Sequence, residues 1–82
     1  MEKRELAEEI IDFFGEYKMK NFLKGIEVAP SRVEEYLEYD WFVESLIQTL
    51  LLKTRYVKNV DIDRLKNLLI ELEKVRLDLE YR

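Results

Sequence analysis

The sequence predicts an all-α fold, a three-helix bundle formed by a single domain over residues 1–82. Apolar residues recur three and four positions apart through most of the chain, which is the spacing of one helix face. No segment alternates apolar and polar residues over the length of a strand. Only two Gly and one Pro interrupt the sequence, so it offers few positions at which a helix must end.

The first predicted helix covers residues 2 to 18. Phe22 and Leu23 lie far from its apolar face at about 100° per residue, so we expect the helix to end or bend between Gly15 and Asn21. A short helical turn over residues 20–24 would then present them separately and make a fourth helix. Residues 25–30 form the next connection. The apolar face of the first helix comprises Leu6, Ile10, Phe13, Phe14 and Tyr17.

The second predicted helix covers residues 32 to 57. Ser31 and Glu34 fit a capping box, in which each side chain accepts a hydrogen bond from the other residue's free backbone amide. The apolar face of this helix comprises Tyr36, Tyr39, Val43, Leu46, Ile47, Leu50 and Val57.

The third predicted helix covers residues 62 to 81 and follows a tight connection at residues 58–60. Asp61 is the expected N-cap, with Val60 and Leu65 in the positions of a hydrophobic staple. Alternating spacings of three and four residues are typical of a bundle seam. The inward residues of this helix are Leu65, Leu68, Leu69, Leu72, Val75 and Leu79.

Composition excludes several classes of function. The chain has no Cys and no His, which excludes disulfides, Cys/His zinc sites and imidazole bases. A net charge of −4 argues against general polyanion binding. No apolar run is long enough to span a bilayer, and residues 1–5 do not resemble a signal peptide. We therefore expect a cytoplasmic protein without cofactor or membrane partner, and its Glu and Lys enrichment is typical of hot environments.

Helices two and three each carry a second line of apolar residues outside the main face. Large contiguous apolar patches usually mark contact sites, and the commonest soluble assembly is a two-fold homodimer. We therefore predict an interface with a second copy or with another protein; scattered surface residues or a broader monomer core are the alternative. Trp41 and Tyr81 are the expected anchors, because aromatic residues dominate interface energetics. The predicted interface residues are Trp41, Leu52, Tyr56, Ile70, Leu77 and Tyr81.

A basic segment supports a second hypothesis, association with nucleic acid. Its cations could contact phosphates while Tyr56 stacks on a base. The cations near the end of helix two also complement the helix dipole, which explains them without a ligand. The residues of the segment are Lys53, Arg55, Lys58, Arg64 and Lys66.

Carboxylates on the first two helices support a third hypothesis. Glu8, Glu9 and Asp12, followed by Glu35 and Glu38, resemble the EExxE…ExxD pattern of MazG-like all-α nucleotide pyrophosphatases. Asp12 stands where that pattern has Glu, and Glu38 where it has Asp. The resemblance implies carboxylates from two helices that hold Mg²⁺ against a triphosphate, and acids three positions apart do share a helix face.

The sequence thus favours a small, non-enzymatic interaction module that acts as an accessory, adaptor or inhibitor subunit. Nucleic-acid association is the second hypothesis. Magnesium-dependent nucleotide hydrolysis is the third.

Overall fold

The computed structural model describes residues 1–18 and 29–81 of the chain. Over these residues the protein is helical and contains no strand, which confirms the all-α prediction. Single 3₁₀ turns cover Pro30–Arg32, Thr54–Tyr56 and Asn59–Asp61. The four α-helices are α1 (Lys3–Glu16), α2 (Val33–Tyr36), α3 (Asp40–Lys53) and α4 (Ile62–Glu80).

Helices α3 and α4 form an antiparallel hairpin, and α1 packs on one face of it. Asp40 at the start of α3 shares a cleft with Glu80 at the end of α4, while Leu51 and Leu69 share another at the opposite end of the hairpin. Leu65, Leu68 and Leu72 give α4 its contribution to the core. The buried core is one cluster formed by Leu6, Ala7, Ile10, Phe13, Phe14, Val33, Leu37, Phe42, Val43, Leu46, Leu50, Val57, Leu65, Leu68 and Leu72.

Helix α1 ends where the sequence predicts a break to begin. The N–H of Tyr17 donates to the carbonyl of Phe13 over 3.0 Å, and Lys18 follows with a φ of +59°. A left-handed residue after the last turn stops a helix, although Gly usually occupies that position. The rest of the predicted break, the turn over residues 20–24 and the start of the connection lie outside the described residues.

The prediction of one continuous second helix is wrong. Helix α2 ends at Tyr36, Tyr39 has extended backbone angles (φ −110°, ψ 124°), and α3 begins at Asp40. The helix also ends before the predicted residue 57, since α3 stops at Lys53 and a 3₁₀ turn follows. The capping box is not formed: Ser31 lies inside the 3₁₀ turn, and the N-cap of α2 is Arg32 without a side-chain hydrogen bond.

The break follows from the phase of the apolar residues. Val33 and Leu37 lie one turn apart and are both fully buried. A continuous helix would next turn Asp40 and Glu44 toward the core, at a high cost for charged groups. The extended residue between the helices rotates α3 so that Phe42 is buried instead. Phe, unlike Tyr, needs no hydrogen-bond partner there, so the tyrosines that the sequence analysis placed inward lie nearer the surface.

Helix α4 has the predicted bounds and seam. Leu65, Leu68 and Leu72 are buried, and Leu69, Val75 and Leu79 pack against them. Asp61 occupies the N-cap position but makes no capping bond; its carboxylate accepts a hydrogen bond from the Tyr17 hydroxyl. The predicted staple is not formed, because Val60 is largely exposed.

Because the rotation of α3 buries Phe42 and leaves Tyr39 half-exposed, truncating these two side chains should lower the free energy of unfolding by different amounts. We expect Phe42→Ala to lower the free energy of unfolding by about 3–5 kcal/mol, because it leaves a cavity in the core. Tyr39→Ala should cost less than about 1.5 kcal/mol, since its ring is half-exposed. Urea unfolding followed by circular dichroism at low temperature measures both. Equal costs, or a larger cost at Tyr39, would contradict the rotation of α3.

Candidate interaction site

An apolar groove runs between α3 and α4. Ile70 and Leu77 lie roughly opposite the buried residues of α4, on the side of the hairpin that α1 does not cover. Leu51 of α3 faces them, and the exposed fractions of the three side chains lie between 41% and 54%. The groove has a volume of about 480 Å³, and its lining consists of Ile47, Leu51, Leu69, Ile70, Glu73, Lys74 and Leu77.

The same groove becomes polar toward the start of α3. Glu44, Gln48, Glu73 and Arg76 line its next section. The Arg76 guanidinium donates to the Glu73 carboxylate over 3.1 Å from Nε and lies 3.7 Å from the Glu80 carboxylate. The hydrogen bond from Arg76 lowers the pKa of the Glu73 carboxyl. The groove therefore has an apolar section and a charged section, which gives its two ends different chemistry.

The structure places the six predicted interface residues on the surface but does not bring them together. Only Ile70 and Leu77 line the groove. Leu51 lines the groove but is not among the predicted interface residues. The three consecutive leucines at positions 50–52 do not by themselves indicate which one faces α4. Ile47 was assigned to the core, yet it is partly exposed and lines the groove. The opposing apolar residues of α4 identify these two positions once the hairpin is known.

Trp41 belongs to an aromatic cluster at the corner between α2 and α3. Its indole stacks on Tyr39 with centroids 6.2 Å apart and planes 12° from parallel. Its ring meets Tyr36 and Phe42 edge-on at 6.0 and 5.8 Å, in the geometry that aromatic pairs favour. These contacts give the half-exposed Trp41 a structural role in fixing the corner, away from the groove.

The basic segment is divided by the fold. Lys53, Arg55, Lys58 and Lys66 are exposed, and none of these four forms a salt bridge with a residue in the described part of the chain. Arg64 instead pairs with three carboxylates of α1. It therefore adds no free positive charge to the segment.

Arg64 joins α4 to α1. Its guanidinium forms ion pairs with Glu9 and Asp12, and its Nη1 donates to Glu16 Oε2 over 2.7 Å. It also lies 5.1 Å from the centre of the buried Phe13 ring. The hydrogen bond that Arg64 Nε donates to the Glu9 carboxylate is the largest cause of the raised pKa of Arg64. One cation thus offsets part of the negative charge on this face of α1 and reduces the repulsion between its acids.

The carboxylates that resemble a magnesium motif have cationic partners in the structure. Arg64 pairs with Glu9 and Asp12, while Arg32 donates to Glu35 over 3.1 Å. Residues 1–18 and 29–81 contain no group of three or more acidic side chains placed to hold a metal ion. Within the same residues, no helix is both long enough and apolar enough to cross a bilayer.

The end of α1 is also tied to the connection before α4. Tyr17 packs on Phe13 with ring centroids 4.7 Å apart and donates its hydroxyl to Asp61. Burial and then this hydrogen bond raise the pKa of the Tyr17 phenol above its usual 10.0. The protonated phenol is the form that the folded protein stabilises.

We expect Arg64→Met to lower the free energy of unfolding by about 1–2 kcal/mol, because three carboxylates lose their counter-ion. Lys66→Met is the matched control and should change it by less than about 0.5 kcal/mol. Urea unfolding at low and high salt measures both. An effect of Arg64→Met no larger than that of Lys66→Met would contradict the role assigned to Arg64.

Tyr17→Phe should change how stability depends on alkaline pH. Because the pKa of Tyr17 is raised in the folded protein, its stabilising contribution is complete below pH 10.0 and is lost as pH rises through the folded-state pKa. The difference in unfolding free energy between the native chain and Tyr17→Phe should therefore shrink as pH rises from about 9 to 11. A difference independent of pH over that range would refute the contact.

Comparisons of the chain with protein-family models, curated proteins and solved structures find no match. No relative therefore supplies a partner or a set of site residues. A functional proposal for this chain depends on the surfaces described above.

Proposed function

We propose that the protein is a small interaction module that associates through the groove between α3 and α4, and that its occupant is a second copy of the chain. The observation that carries this proposal is the groove itself, where partly exposed apolar side chains face each other across two helices. Such a surface loses unfavourable contact with water when another apolar surface covers it. In this role the chain serves as an accessory, adaptor or inhibitor subunit.

The chemistry of the groove supports a second copy as the occupant. Ile70 and Leu77 project beside Glu73 and Lys74, two adjacent residues of opposite charge on the same helix. In a two-fold symmetric contact each copy presents the same patch to the other. An apolar strip flanked by both signs of charge can therefore complement itself, with Lys74 of each copy near Glu73 of the other.

The expected association is reversible. The apolar side chains of the groove are already about half-buried or more in the single chain, so dimerisation removes only the remaining exposed area from water. Burial of that area must also offset the loss of translational and rotational freedom on association. We therefore expect a monomer–dimer equilibrium with a dissociation constant in the range of about micromolar to hundreds of micromolar.

The cytoplasmic location and the hot-environment origin that the sequence predicts stay predictions.

The test compares two equivalent substitutions by analytical ultracentrifugation over a wide concentration range. The native chain should approach twice its 10.0 kDa mass as concentration rises. Leu77→Glu should weaken dimerisation at least about tenfold, because a carboxylate would be buried in the apolar contact. Leu52→Glu introduces the same charge at an exposed position outside the groove. The average mass of this variant should rise with concentration as that of the native chain does.

Circular dichroism of both variants shows whether they retain the helical fold. A native chain that stays monomeric at every concentration would refute the second copy as occupant. Equal weakening by Leu77→Glu and Leu52→Glu would refute the groove as the interface.

A further inference from the structure

The end of α3 and the connection that follows it combine exposed apolar residues with cations. Leu52, Tyr56 and Val60 are 72%, 66% and 85% exposed, and the cations Lys53, Arg55 and Lys58 lie between them in the chain. We call residues 52–60 the hairpin tip. A single exposed Leu or Val is ordinary on a protein surface. Three exposed apolar residues within one nine-residue segment are instead typical of a contact site.

The hairpin tip is held in place by its buried centre. Val57 is buried in the core cluster, and its N–H donates to the carbonyl of Thr54 over 3.2 Å. Thr54 in turn donates its hydroxyl to the carbonyl of Leu50 over 3.0 Å, which anchors the tip to the last turn of α3. With Val57 inward, its neighbours Tyr56 and Lys58 are held outward.

The tip also differs in charge from the rest of the molecule. Residues 52–60 contain three cations and no acidic residue, in a chain whose net charge is −4. Lys53 and Arg55 can stabilise the carboxyl end of α3 and of the 3₁₀ turn that continues it, whereas Lys58 lies beyond both. The molecule is therefore polarised, and an anionic surface would attract the tip and repel the acidic remainder.

We propose that the hairpin tip binds the surface of an anionic phospholipid bilayer. Leu52, Tyr56 and Val60 enter the boundary between headgroups and acyl chains, while the three cations remain level with the lipid phosphates. A peripheral contact of this kind requires no membrane-spanning helix. It differs from the sequence-based expectation of no membrane partner, which depended on the lack of such a segment.

The apolar residues favour a bilayer over a nucleic acid. Leu52 and Val60 offer no flat face on which a base could stack. The Tyr56 ring already has Lys53 Nζ and Arg55 Cζ over it, 5.5 and 5.9 Å from its centre. A base that stacked on a face they cover would have to displace them. In a bilayer, by contrast, an aromatic ring beside cations at headgroup level is a stable arrangement.

The test is co-sedimentation of the full chain with vesicles of phosphatidylcholine, with and without about one-third phosphatidylserine. Lys53→Gln/Arg55→Gln/Lys58→Gln removes the cations, and Leu52→Ser/Val60→Ser removes two apolar side chains. Lys66→Gln and Tyr81→Ser are matched controls, since both residues are exposed and Tyr81 lies at the far end of α4. A single-stranded oligonucleotide, assayed with the same variants, distinguishes the two kinds of polyanion.

We expect salt-sensitive binding to phosphatidylserine vesicles that weakens by on the order of 100-fold without the cations and about tenfold without the apolar pair. The controls should stay within about twofold of the native chain. Failure to bind anionic vesicles would overturn the proposal. So would undiminished binding by the Leu52→Ser/Val60→Ser variant, or tighter binding of the oligonucleotide through the same cations.

Discussion

The bundle depends on the turn at residues 37–39, where the backbone leaves one helix and enters the next at a different rotation. Tyr39 is extended there, so Val33 and Leu37 are buried in one phase and Phe42 and the α3 residues that follow it in another. The turn decides which side of α3 faces the core. It thereby also decides which side of α3 lines the groove with α4, because the angular positions of the side chains around one helix are fixed relative to each other.

Charge is distributed to suit this packing. Arg64 takes up three carboxylates of α1 and so removes both a candidate phosphate contact and part of a candidate metal site. The hairpin tip itself contains three cations and no acidic residue, and Asp61 follows it directly. An acidic chain therefore presents a small cationic surface at the end of the hairpin. Leu52 and Val60, the most exposed aliphatic residues in the described part of the chain, lie in the same segment. Coincidence of charge and apolar exposure distinguishes this end from an ordinary solvated loop.

The groove and the tip are separate surfaces with different chemistry. Ile70 and Leu77 face partly exposed apolar side chains across a cleft, a shape that another apolar ridge can fill. Tyr56 and Val60 project from a connection between helices, a shape suited to a flat partner. The interface predicted from the sequence included residues of both surfaces. A helical projection of one segment does not show which residues of another helix pack beside it.

The sequence by itself determined the helical class, the bounds and seam of α4, the end of α1 and the surplus of apolar residues, since these depend on local periodicity and composition. It did not determine the break before α3: Tyr36 and Tyr39 fitted a continuous stripe, and only competition for the core favoured Phe42. It also left open whether Arg64 was free. Tertiary structure decided these points because burial and ion pairing depend on which residues distant in sequence become neighbours.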